Sequence, residues 1–307
     1  ITTSSTSGST TNYYSQPVTV TSYSDGTTDT TNNGSATLIG SQTTNSSTIT
    51  GTQQNTVNAV NQRIANILPS AGNSVYIHQT GSGDTYNITQ IGKGNMVDGA
   101  TFDTNSGTMG YQTYAQFAGG SNQVYIRQGD PASAAGKNIV DISVNGAGNW
   151  VSINQGTDAN GLYTGLDAGG HYQFLWINGG NNNVTTVQEG TGSHGQFGAI
   201  TINGGSNTVQ TTQTGSAQNQ SFIGVVGSYN SVTLSQSGPT ANYSNITASG
   251  NNNFASVTQT GGGNNSNINL INAGAPATVN IIQTGNQSVG ITQTCYTTAC
   301  GTVSIRQ

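Results

Sequence analysis

The sequence is 307 residues long, 32% hydrophobic and only 5% charged, with a formal net charge of −5. Globular domains run at about 45–50% apolar and roughly a quarter charged, so neither a conventional core nor disorder driven by charge repulsion is expected. Five Lys and Arg residues, scattered singly, leave no basic stripe for nucleic acid, and no apolar run is long enough to span a membrane. What is abundant is Gly, Asn, Thr, Ser and Gln, a composition associated with stacked β structure. The chain opens at Ile1 without a Met, read as removal of an N-terminal leader or as numbering that starts inside a precursor.

Residues 1–50 form a Thr/Ser/Asn-rich extended arm. Val18 and Val20 hint at a strand, and Asp25-Gly26 at a turn. A flexible arm and a segment lying on a neighbouring subunit are both compatible with this stretch. Residues 51–70 read as the one helix. Val57, Val60, Ile64, Ile67 and Leu68 fall on a single helical face, with Thr52 as N-cap and Pro69 as the stop. A plain surface helix is one reading; its place before the repeats points to the other, a cap over their open end.

Residues 71–307 repeat a frame, N-x-V-x-I-x-Q-x-G, first seen at Asn73–Gly81. It sets nine glutamines at one address: Gln79, Gln128, Gln155, Gln188, Gln213, Gln236, Gln259, Gln283 and Gln307. Their spacings, 49, 27, 33, 25, 23, 23, 24 and 24 residues, lie in the range of a solenoid. A second alternating run lies between successive frames, as at Val140-x-Ile142-x-Val144, Ile200-x-Ile202, Ile223-x-Val225 and Ile268-x-Leu270. Each turn of about 23 residues is thus strand, bend, strand, bend, giving an all-β solenoid of about ten turns and a rod of roughly 50 Å. The oversized first gap predicts an extra turn near Asn95 and Val97, with its partner at Ala115 and Phe117. Insertions around 99–111, 129–137, 156–170 and 189–197 are expected to bulge at corners.

Frame residues share one parity and are expected to point inward. There the Gln amides can hydrogen-bond along the axis at about 4.8 Å, because a buried amide left unpaired costs roughly 1–3 kcal/mol. The competing reading places the amides on the surface and turns the opposite parity inward. That parity carries Tyr76, His78, Arg127, Thr185, Thr233, Ser235 and Arg306.

Cys295 and Cys300 are too few for a zinc site and read as a small disulfide loop of an oxidising compartment, with two free thiols as the other reading. The last frame, with Val303, Ile305 and Gln307, is expected to present an unpaired strand edge to another copy, giving an open head-to-tail filament. The cysteine loop folding across that edge is the alternative. His78, His171 and His194 stand in different repeats. His171 with Asp167 and His194 with Glu189 read as solvent-facing loop pairs, and the ten acids are dispersed, so neither catalysis nor a cofactor nor a metal site is expected. Outward Tyr76, Tyr125, Trp150 and Phe254 suggest a cell-surface glycan as partner. Thr185, Thr208, Thr212, Thr233 and Thr258 suggest an ice-binding row.

Stretches such as N-N-N-F-A-S-V-T-Q-T-G-G-G-N-N from 251 to 265 and Y-N-S-V-T-L-S-Q-S-G from 229 to 238 resemble the curlin repeat of bacterial curli fibres. The resemblance covers about 73–307. It implies a β-solenoid with inward glutamines and an extracellular structural role as a self-assembling, functional-amyloid-like filament. Curlin subunits are shorter and lack the arm, the helix and the cysteines. The irregular, insertion-laden turns are also similar to virion proteins of marine tailed bacteriophages, which would place the fibre or adhesin on a virion surface.

Overall fold

The computed structural model describes residues 51–68, 70–131, 136–157, 165, 167–192, 195–272, 275–295 and 302–307, together with the backbone of five strands between residues 2 and 45. Two parallel sheets enclose one core, and the chain alternates between them, so the fold is an all-β parallel solenoid. The first, here the open sheet, stacks nine strands in sequence order from Thr85–Gln90 to Val303–Arg306. Register is kept throughout it. Val124, Val151, Val184, Val209, Val232, Ala255, Val279 and Val303 form one inward column. In the second sheet Ile142, Leu175 and Ile200 stack in one stretch, and Ile246, Ile268 and Ile291 in another, all buried against the same core. The period of two that marks these strands is what sends alternate residues to opposite faces.

The first turn differs from the reading of the sequence. Asn73–Gly81 imitates the glutamine frame, but Ile77–Ser82 pairs with Ala115–Gly120 of the second sheet, setting Gln79 beside Phe117. The frame of that turn is Thr85–Gln90, where Tyr86 takes the place of the first Val. The gap from Gln90 to Gln128 is 38 residues. It contains a hairpin of Met96–Asp103 and Thr108–Gln112, which leaves the second sheet in mid-strand and not at a corner. Met96–Asp98 aligns with Ile139–Asp141, and Gln116–Ala118 with Ser143–Asn145, so both halves flank the excursion within one strand layer.

One corner demands glycine. A Cβ on Gly119, Gly146, Gly179, Gly204 or Gly227 would approach the carbonyl oxygen of the corresponding glycine one turn on to within 1.9–2.3 Å. No side chain fits there, because backbone stacks directly on backbone at the strand spacing.

The helix, Gly51–Ala65, does not cap an end; it lies on the outer face of the second sheet. Thr52 falls inside its first turn, and Pro69 lies outside the described residues. Val57 and Val60 are buried, Ile64 and Ile67 pack beside them, and Leu68 is exposed. Beneath the helix runs an aromatic column, Tyr172, Phe197, Phe222 and Tyr243, with ring centroids 5.2–6.1 Å apart. Tyr243 donates to Gln53 near the helix start, Asn61 bonds Gln218, and Arg63 reaches Asp98 and Asp141. The helix therefore crosses six strand layers, about 24 Å of stack, which its fifteen residues match at about 22 Å. In the layers that the helix crosses, the outer-face residues Ile139, Asp141, Tyr172, Phe174, Phe197, Ala199 and Tyr243 are buried.

The strand Thr37–Asn45 pairs antiparallel with Ser288–Cys295, the last solenoid strand of the covered sheet, and Gly8–Ser15 pairs with it in turn. The arm thus covers that edge of its own chain.

Arg63 is the chief polar anchor of the helix. Both of its bonds to Asp98 and Asp141 are 2.7 Å, Tyr172 donates to Asp141 at 2.8 Å, and the guanidinium lies 4.0 Å from the Tyr111 ring centroid. Burial pushes the Asp141 carboxyl up to about 6 and raises Asp98, while Arg63 opposes both shifts. A carboxyl raised on folding holds its proton more tightly in the folded state. Its contribution to stability is complete below the ordinary value of 3.8 and is lost as pH rises toward 6. Arg63→Met leaves two buried carboxylates without a counter-charge. We expect it to cost about 3–5 kcal/mol at neutral pH and clearly less at pH 4, where both carboxyls take up protons; chemical denaturation at the two pH values measures the difference. Equal losses at both would show that Arg63 acts by packing alone.

Candidate functional site

The most distinctive arrangement of side chains is a line of amides in the core. Gln90, Gln128, Gln155, Gln188, Gln213, Gln236, Gln259, Gln283 and Gln307 each follow the preceding one by one turn. Every Nε2 donates to the Oε1 of the next at 2.8–3.2 Å. Eight of the nine expected glutamines are in it; Gln79 is not. It is exposed, with its Nε2 bonded to the Gly81 carbonyl, and Gln90 fills the first place.

The second N–H of each amide crosses the core. Gln90, Gln128, Gln155, Gln188, Gln213, Gln236, Gln259 and Gln283 donate to the carbonyls of Ser74, Met96, Ile139, Tyr172, Phe197, Gln220, Tyr243 and Asn265 at 2.9–3.2 Å. Each acceptor is the first residue of a strand in the covered sheet. These carbonyls fix which atom of every amide is nitrogen, so the ladder has one polarity. One side chain type thereby joins each turn to the next and each sheet to the other.

Both corners carry asparagine ladders of opposite sense, which the reading of the sequence did not isolate. At one, the main-chain N–H of Asn122, Asn149, Asn182, Asn207, Asn230 and Asn253 donates back to the Oδ1 one turn earlier, starting from Asp84. At the other, Asn95, Asn138, Asn242 and Asn264 do the same; His171 and Gln196 interrupt the series, and the Asn219 N–H donates to Gln196 Oε1 instead. His171 is buried, not solvent-facing as expected. Its Nδ1 accepts the Gln196 N–H at 2.9 Å, so the ring proton is on Nε2, 2.5 Å from Asp167 Oδ1. Asp167 also accepts from Gly169 and Gly190. The His–Asp pair braces a corner where a loop was inserted, and its hydrogen-bonding capacity is spent on that. His194 lies outside the described residues. Among the described residues no group of three or more His, Cys, Asp or Glu is placed to hold a metal ion, and no helix is long and apolar enough to cross a membrane.

At the edge, Val303 is buried, Ile305 half-buried and Gln307 exposed. Cys295 is buried and disulfide-bonded; the chain's one other cysteine, Cys300, lies outside the described residues. On the outer face of the open sheet, Tyr125 and Trp150 stack with centroids 4.8 Å apart. Phe254 has Ser231 and Thr278 as register neighbours, and Tyr76 belongs to the other sheet, so the four aromatics form no row. No two of Thr185, Thr208, Thr212, Thr233 and Thr258 are register neighbours either: Thr185 faces Gln210, Thr208 faces Ser231, and Thr258 faces Ser235.

Gln213→Met removes the donors to Phe197, Asn219 and Gln236 and the acceptor of Gln188 while keeping side-chain length. We expect a loss of roughly 2–4 kcal/mol in denaturant unfolding, against about 1–2 kcal/mol for Gln90→Met at the ladder's end, where only Ser74 and Gln128 lose a donor. Equal effects at the two positions would argue that the amides act independently. No family model, no curated protein and no solved structure matches the chain.

Proposed function

We propose that the protein is a non-catalytic structural subunit of an extracellular or surface-displayed fibre, assembling end to end through the edges of its solenoid as the curlin resemblance implies. The observation that carries this reading is the complementarity of the two ends of the open sheet. At one end Gln307 accepts from Gln283, and no described residue takes its own side-chain N–H groups; at the other, Gln90 Oε1 receives no donor among the described residues. Continuing the register sets Val303 over Tyr86, Ile305 over Ile88 and Gln307 over Gln90. Tyr86, Ile88 and Ile305 are all core residues left half-buried at the ends. Such a contact is heterologous and does not close, which is the geometry of a filament. An extracellular or virion-surface location accords with the disulfide.

The covered sheet ends differently, since Thr37–Asn45 already pairs with its last strand. On this reading the arm shields half of the growing end, and deleting residues 1–50 speeds assembly.

A substitution isolates the edge. Gln307 N–H donates to Ile282 and its carbonyl accepts from Thr284, so residues 303, 305 and 307 face the neighbouring strand and the amides of Ser304 and Arg306 face outward. Ser304→Pro removes one outward donor and no inward bond. We expect the native protein to form concentration-dependent filaments by sedimentation and negative-stain microscopy, and Ser304→Pro to stay short or monomeric with an unchanged circular dichroism spectrum. Filaments formed equally well by the variant, or a native protein that remains monomeric at high concentration with or without its arm, would overturn the assembly.

A further inference from the structure

The covered sheet is interrupted at one layer. Neighbouring strands Tyr172–Asn178 and Phe197–Asn203 pair over their whole length, but Phe197–Asn203 meets the next layer only at Phe197 and Gln220. The segment expected to be a strand, Ile223-x-Val225, is irregular beyond Ser221. Val225 and Val226 there adopt φ of 100° and 87°, in a region that costs a β-branched residue on the order of 1–3 kcal/mol.

A cavity of about 530 Å³ opens over this interruption. Its floor is small, Ala199, Thr201 and Gly224, and Ile200 and Ile223 are reached through the break. Trp176, on the strand before the floor, forms one wall with Phe102 of the hairpin, their ring centroids 5.5 Å apart. Phe222, on the layer after it, borders the opposite side, its ring packed in the column between Phe197 and Tyr243. The start of the helix and the hairpin tip close the two remaining sides. The volume falls within the range of about 300–1,000 Å³ usual for small-ligand sites.

The lining narrows the chemistry. Among the described residues no acidic, basic or histidine side chain borders the cavity, so an ionised ligand would lose its hydration without a counter-charge. The walls are aromatic, while the rim is hydroxyl and amide: Thr104, Ser106, Thr108, Asn203 and Asn245. A ligand that suits both has an apolar face to lay on an aromatic wall and uncharged donors and acceptors around its edge. We propose that this cleft binds a neutral saccharide, with a pyranose ring against Trp176 and its hydroxyls on the rim. The site is separate from the strand edges and does not depend on the protein being a fibre.

The test uses the full chain carrying Trp150→Phe, which leaves Trp176 as the only tryptophan. Neutral trisaccharides of glucose, galactose and N-acetylglucosamine are titrated by fluorescence and calorimetry, with sialyllactose as the anionic probe and anilinonaphthalene sulfonate as the apolar one. We expect saturable quenching by at least one neutral trisaccharide with Kd below about 1 mM, weakened tenfold or more by Thr201→Trp, which fills the floor. If Thr201→Trp fails to fold, Trp176→Ala measured by calorimetry carries the same comparison. Binding of none of the neutral sugars, binding of sialyllactose or the apolar dye alone, or sugar binding that survives filling of the cleft would overturn the assignment.

Discussion

A buried carboxamide has two N–H bonds and one carbonyl to satisfy, and this fold is arranged so that each turn meets those needs for its neighbours. One N–H runs along the stack and the other crosses to a strand-initiating carbonyl of the opposite sheet. The first contact is met only if successive turns are in register; the second is met only if the sheets keep a fixed separation. Glutamine thus acts as a gauge in two directions. An aliphatic side chain fills the same space but has no preferred axial neighbour, and a one-residue slip would turn every inward column outward. The asparagine ladders impose the same register at the corners with their donors aimed the opposite way.

Because register is set by amides, the apolar demand is small. Inward columns two or three residues wide per strand suffice, which accounts for a folded chain that is only 32% hydrophobic. The sheets then diverge in role. The open sheet keeps a polar outer face and buries one side. The covered sheet buries both where the helix lies on it, its outer aromatic column lying under the helix, and it alone carries the mid-strand hairpin, the ion pairs of Arg63 and the strained break at Val225. Irregularity has accumulated where a helix can compensate for it.

Eight ladder glutamines and the two-strand turn were legible from spacing and parity, since both follow from the period of the strand. What was not legible depended on contacts between distant residues. Asn73–Gln79 repeats the frame because inward positions of either sheet alternate alike, and only pairing with Phe117 tells the sheets apart. Thr85–Gln90 was hidden by Tyr86, whose ring packs on Phe117 at 4.8 Å and so closes the first turn. The alternation of Ile223 and Val225 does send both inward, yet positive φ removes the pairing that defines a strand. The helix face was correct at Val57 and Val60. Its placement rested on Arg63 meeting Asp98 and Asp141, carboxylates separated by a hairpin, a corner and a full turn. His171 had a sequence signal that went unused: it occupies the corner position that asparagine holds in most turns.

Ladder polarity also constrains how copies can meet. With every Nε2 aimed toward the higher-numbered turn, two like ends brought together would oppose donors to donors or acceptors to acceptors. Only unlike ends extend the series, so amides that specify register within a chain would specify direction between chains. The arm acts against this on the covered sheet. Its antiparallel pairing on Ser288–Cys295 satisfies the backbone edge while breaking the parallel register that further turns would need. On the proposed assembly, a single chain would therefore pair a permissive edge with a guarded one. Growth through the permissive edge alone would align backbones over one sheet, whereas stacking the whole cross-section would require the arm to leave, making arm release the step that separates a loose contact from a continuous solenoid.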